Sequence, residues 1–211
     1  MHLPDGIIPL DQAIVYWIIT VLILCFFFYK FRDDKTQTKD MIKIAIFSVC
    51  CFILSAVQVP SPLGIPIHFF LIPVITLIIG PVKTLMVSFI SLLAQALILS
   101  MGGITSLGAN FIVMGFIITI TTYVFYKIFI ELNESVAIFL ATLISIMFAT
   151  FTQVAQLIIA GAMNFESLLA SLVPFYLFIS IIEGIFNIII IRLLKDMKPE
   201  LLKEGGIIKW N

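Results

Sequence analysis

Continuous apolar runs of roughly 15 to 25 residues recur along the whole chain, near the length that crosses the hydrocarbon core of a bilayer. They extend from about Ala13 to Tyr29, Met41 to Val57, Ile65 to Gly80, Val82 to Ser100, Ala109 to Phe129, Val136 to Ala162 and Leu168 to Leu194. Strands of a membrane barrel would alternate apolar and polar residues, so uninterrupted runs predict helices. In lipid a helix also satisfies its own backbone. Composition agrees: 62% of the 211 residues are hydrophobic and 11% charged, more apolar surface than a soluble domain could hide. The third run is the shortest, which predicts a helix that is tilted or partly buried; Gly80-Pro81 separates it from the fourth. The expected fold is all-α, a single transmembrane domain over residues 1–211. It divides into an N-terminal segment 1–12, a bundle of about seven helices over 13–195 and a polar tail 196–211.

Charge placement gives the topology. With seven spans, all 12 Lys and Arg residues fall on one side: Lys30, Arg32, Lys35, Lys39, Lys43, Lys83, Lys127, Arg192, Lys195, Lys198, Lys203 and Lys209. The other side keeps Asp5, Asp11 and Glu166. Basic residues accumulate on the cytoplasmic side, so the N-terminus is expected outside and the C-terminus inside a cell membrane. Six spans would scatter the basic clusters over both sides. The first run is not expected to be a cleaved signal, because its positive charges follow the apolar core instead of preceding it.

Several function classes are disfavoured. The chain has no Gly-rich phosphate loop ending in Lys-Ser or Lys-Thr, so any ATP that drives transport must be hydrolysed by another polypeptide. Two histidines leave little room for a nucleophile–base set, so an enzyme is not expected. Nothing points to nucleic acid. Cys25, Cys50 and Cys51 lie in apolar runs without a CxxC pair and read as packing residues.

His2 and His68 both fall on the expected outer side. Each could be an ordinary hydrogen-bonded interfacial residue. Position 2 offers more. The free α-amine, the amide nitrogen of residue 2 and the imidazole Nδ1 can chelate one ion through a five-membered and a six-membered ring. A second imidazole could fill the fourth corner, and four nitrogens in a plane suit Ni(II) or Cu(II). The amide must lose its proton, which the metal assists. His68 follows Pro60, Pro62 and Pro66, which stiffen its approach.

The opening Met1-His2-Leu3-Pro4-Asp5-Gly6 resembles the start of the CbiM/NikM family, substrate-binding membrane subunits of energy-coupling-factor transporters for cobalt and nickel. Further stretches look like that family: the histidine early in run three, Gly80-Pro81, Gln95-Ala96, Gly102-Gly103, Leu107-Gly108-Ala109-Asn110 and Glu183-Gly184. The resemblance implies an N-terminal segment tucked into the bundle and Ni(II) or Co(II) as the transported substrate. It implies ligation by the Met1 amine, the His2 backbone and side chain, and His68. It also implies a CbiQ/NikQ-like membrane coupling subunit, a CbiO/NikO-like ATPase and a small CbiN/NikN-like auxiliary subunit. One departure lies in the last run. The family often carries histidine and glycine where this chain has Tyr176 and Ser180, which leaves the role of Glu183 open.

Other polar residues in apolar surroundings have two readings. Glu183 is either a hydrogen-bonded interhelical residue or a functional one. Gln95, Asn110 and Gln153 either bond between helices or hold an imidazole in one tautomer; Asn110, then Gln95, are the candidates for the latter. Ala137, Ala141, Ser145 and Ala149 recur every four residues, as internal packing or as a docking face. Two alternatives to metal capture stand: a permease subunit for a small organic ligand such as a vitamin, and a membrane assembly protein that carries nothing. Neighbouring genes for nickel enzymes or cobalamin synthesis would separate nickel from cobalt.

Overall fold

The computed structural model describes residues 1–32, 37–57, 69–162 and 164–203. His68 lies outside the described residues, as do Lys35, Lys209, the proline-rich approach to His68 and the end of the expected tail. The described residues form helices and connecting segments, with no strand among them. In chain order the helices are α1 (Leu10–Phe31), α2 (Gln37–Ala56), α3 (Ile72–Ile79), α4 (Pro81–Ile98), α5 (Leu107–Phe129), α6 (Glu134–Ile159), α7 (Phe165–Met197) and a short α8 (Pro199–Lys203). Each of the seven apolar runs corresponds to one of the first seven helices. Five of them, α1, α4, α5, α6 and α7, are long and apolar enough to span a membrane. α2 has 20 residues, but Lys39, Asp40 and Lys43 crowd its first turns. α1 exposes Leu10, Ile14, Ile18, Leu22 and Phe26, side chains suited to acyl chains.

α3 departs from expectation. Its apolar run predicts a helix from Ile65; residues 65–68 lie outside the described residues, Phe69 to Leu71 are not helical and the described helix begins at Ile72. The reason is local. Leu71 takes a left-handed conformation, φ 59°, and the N–H groups of Phe70 and Leu71 donate to the two carboxylate oxygens of Glu183, each at 2.9 Å. The two residues that lead into a helix inside a bundle need partners for their N–H groups, and the carboxylate satisfies both while lying beside the positive helix end. Pro73 has no N–H to place. All 8 residues of α3 are buried, and so is Glu183. The carboxyl in the last apolar run is therefore an interhelical hydrogen-bonding residue that caps α3.

The small-residue stripe is internal. Ala137, Ala141, Ser145 and Ala149 are fully buried on α6, which packs along both α5 and α7. The approach of α7 is close: a Cβ on Gly184 would fall 2.8 Å from the Phe139 ring. Asn187 on α7 donates to the Thr142 hydroxyl at 3.0 Å. In α5 the turns widen to π-helical form over Phe111–Ile117, directly after Asn110.

Candidate metal centre

The first eight residues run into the bundle without forming a helix. Met1, Leu3 and Ile8 are buried. Buried backbone outside a helix needs side-chain partners, and here they come from distant elements. Asn110 grips the Leu3 peptide on both faces: its Oδ1 accepts from Leu3 N at 2.8 Å and its Nδ2 donates to Leu3 O at 3.0 Å. The Ser106 hydroxyl donates to the same carbonyl at 2.6 Å. Gln153 on α6 donates to Met1 O at 3.0 Å.

Asp5 latches this segment to the loop before α5. Its carboxylate accepts from Ile104 N at 3.1 Å, the Thr105 hydroxyl at 2.5 Å and Ser106 N at 3.1 Å. Partial burial pushes the carboxyl pKa up, but these donors outweigh it and hold the group below its ordinary range. Gly103 makes the contact possible. A Cβ there would fall 1.9 Å from Asp5 Oδ1.

The seat gathers nitrogen donors. The Met1 amine donates a hydrogen bond to the Tyr176 hydroxyl of α7. The His2 Nε2 lies 2.5 Å from Gln95 Oε1 on α4. Both residues line one cavity of about 20 Å³, together with Ser55, Phe70, Ser91 and Tyr176, with room for roughly one water-sized particle. Burial lowers the pKa of the Met1 amine from 8.0 to about 5. At neutral pH the amine is therefore uncharged, and its lone pair can bind a metal.

The structure thus brings Met1, His2 and Gln95 together, and sets Asn110 against Leu3 one residue further on. The imidazole meets Gln95, whereas Asn110 holds backbone. Among the described residues no group of three or more His, Cys, Asp and Glu side chains comes together to hold an ion. Sequence reasoning gave no role to Asp5, Ser106 or Ser55, and noted Tyr176 only as a departure. A polar side chain inside an apolar run was the available signal for Ser55 and Tyr176. Asp5 and Ser106, in polar loop segments, gave none.

Comparisons with known proteins bear on the same stretch. The model of the CbiM family, described as the cobalt uptake substrate-specific transmembrane region, matches residues 2–201. The cobalt transport protein CbiM of Clostridium tetani is 31% identical, over 99% of this chain and 90% of that protein. The CbiM of Thermosipho melanesiensis is also 31% identical, over 97% and 91%. The crystal structure of a transition metal transporter superposes with a TM-score of 0.84, covering 95% of each chain at 22% identity. A truncated transition metal transporter gives 0.81, over 93% of this chain and 99% of that one, at 23% identity. At these identities the two structures speak for the fold. Together with five spanning helices, the relatives make this a multi-pass membrane protein, a transporter component that works with membrane partners. The chain belongs to the CbiM family, the substrate-specific transmembrane component of cobalt uptake.

Proposed function

We propose that the chain captures one divalent cobalt or nickel ion through the Met1 amine, the His2 amide nitrogen and Nδ1, and the His68 imidazole. The observation that carries this reading is the placement of the buried Met1 amine and the half-buried His2 ring on one small cavity, each held by a buried polar side chain. A cavity of about 20 Å³ is far too small for a vitamin, whose pockets run to several hundred Å³. The relatives named above are cobalt transport proteins, and four nitrogens in a plane also suit Ni(II). Competition between the two ions for one site would rank them.

In this reading the chain is the capture subunit of an ATP-driven energy-coupling-factor transporter. It lacks a phosphate loop, so a CbiO/NikO-like ATPase and a CbiQ/NikQ-like coupling subunit supply the drive, with a small CbiN/NikN-like subunit alongside. The N-terminus faces outside and the basic ends of the helices face the cytoplasm. The test is calorimetric titration of Co(II) and Ni(II) into the purified chain with Met1 as its first residue, against the same chain with one residue added before Met1. The extension keeps His2 but displaces the amine, and affinity should fall at least 100-fold. Equal affinity would remove the amine from the ligand set.

A further inference from the structure

The His2 imidazole has two nitrogens, and the proposed chelate uses Nδ1. That nitrogen has a lone pair to give only when the ring proton sits on Nε2. An acceptor facing Nε2 draws the ring proton there, and a donor leaves it to Nδ1. Gln95 faces it, and an amide end can present either an acceptor oxygen or a donor NH2. The protons around Gln95 fix which.

The Ser55 hydroxyl on α2 donates to Cys51 O, one turn back, at 2.5 Å. Its single proton is thereby committed, and its oxygen is left to accept. Gln95 Nε2 donates to that oxygen at 2.6 Å and to the Ser91 hydroxyl at 3.0 Å. The reversed amide would set Gln95 Oε1 against the lone pairs of Ser55, with no proton between them. The amide therefore presents Oε1 to His2 at 2.5 Å, and Nε2 of His2 must be the donor. Gln95, Ser55 and Ser91 are all buried, where hydrogen bonds are stronger than in water and an unmatched polar pair is costly.

We infer that Ser55 and Ser91, acting through Gln95, hold His2 in the Nε2–H tautomer and so aim Nδ1 at the incoming ion. This rests on the proposed ligand set, but it concerns the ring before any ion arrives. Ser55, Ser91 and Gln95 are positioning residues. They touch no metal and act through one another from two helices, α2 and α4. Metal-binding histidines depend on such outer partners for orientation, and loss of one typically lowers affinity 10- to 100-fold.

The test reads the tautomer directly. The full chain, metal-free, labelled with 15N-histidine and reconstituted in lipid nanodiscs, carries two imidazoles; signals lost in His2→Ala belong to His2. The wild type should show the Nε2–H form at His2. Ser55→Ala removes the acceptor that orients Gln95, and should mix the tautomers and lower Co(II) affinity about tenfold. Ser55→Thr keeps a hydroxyl and should restore both. Gln95→Leu should lose the tautomer preference altogether. An Nδ1–H form in the wild type overturns the inference, as does an unchanged tautomer in Ser55→Ala or Gln95→Leu. If the tautomer behaves as stated but no variant binds metal differently, the ligand set fails and the hydrogen-bond direction stands.

Discussion

At the end of the bundle that holds Met1, polar side chains are buried and bond across long stretches of chain: Asn110 to Leu3, Gln153 to Met1, Gln95 to Ser55 and His2. At the opposite end the charges pair at the surface or near it. Lys195 meets Glu134 at 2.6 Å and Lys83 meets Asp40 at 2.7 Å, with the lysines partly exposed. Uncharged groups build the buried part of the first region, with the Asp5 carboxylate at its exposed rim, so it can be buried at modest cost once each is bonded. Full charges build the second: the lysines keep contact with water, and the buried Asp40 carboxylate is met by Lys83. The contrast says where function is concentrated. A buried polar network fixes one geometry, whereas surface ion pairs contribute little.

The contrast breaks most visibly at Glu183, a fully buried carboxylate between the two ends. Glu183→Ala should leave the N–H groups of Phe70 and Leu71 without their acceptor. At about 1–3 kcal/mol for each orphaned donor, the loss is about 2–6 kcal/mol. Thermal unfolding in detergent reads it directly. A variant as stable as the wild type would mean that α3 does not depend on this cap.

Gly103→Ala attacks the N-terminal seat alone. Its Cβ would collide with Asp5 and push the latch off the loop, while the helices keep their packing. Co(II) affinity should fall at least 100-fold, about 2.7 kcal/mol, with the unfolding temperature little changed. Wild-type affinity would show that the segment binds metal without its Asp5 anchor.

The helical frame was legible in the sequence because apolar runs and basic residues each follow a single rule. Seven runs became seven helices, with ends within a few residues except at α3. There the run of hydrophobic residues continues through Phe69, Phe70 and Leu71, and nothing local says that a carboxylate 112 residues away will start the helix late. The Met1-His2 pair was legible through its chelate chemistry. Its supports were less so, because Asn110 and Gln95 each look like any interhelical amide until the partner is known. Asn110, the first candidate for imidazole partner, lies instead on the backbone of Leu3.

Acidity separates the buried amine from an exposed one. With its pKa lowered from 8.0 to about 5 by burial, the Met1 amine is already neutral at pH 7. Binding should then release almost no proton from it, whereas an ordinary amine would release about 0.9. Calorimetry in buffers of different ionisation enthalpy counts the protons, and one further proton is expected from the His2 amide. Protonation sets in only below about pH 5, so from there the amine alone lowers affinity about tenfold, 1.4 kcal/mol, per pH unit. A release near two protons at pH 7 would place the amine in water before binding.

The smallest effect is expected at the basic end. Lys195→Ala removes the partner of Glu134, but both side chains keep contact with solvent, at 24% and 31% exposure. Water re-solvates the carboxylate, so the pair is worth about 0–1 kcal/mol, less at high salt. A double-mutant cycle with Glu134→Ala isolates that coupling, and unfolding at two salt concentrations tests its screening. Cobalt affinity should stay within a factor of two, because the pair lies at the opposite end of the bundle from Met1, His2 and Gln95. A tenfold loss of affinity in Lys195→Ala would mean that the α6–α7 contact transmits strain along its whole length. The two ends would then be one coupled unit, and the division between a buried binding region and a tolerant charged region would have to be given up.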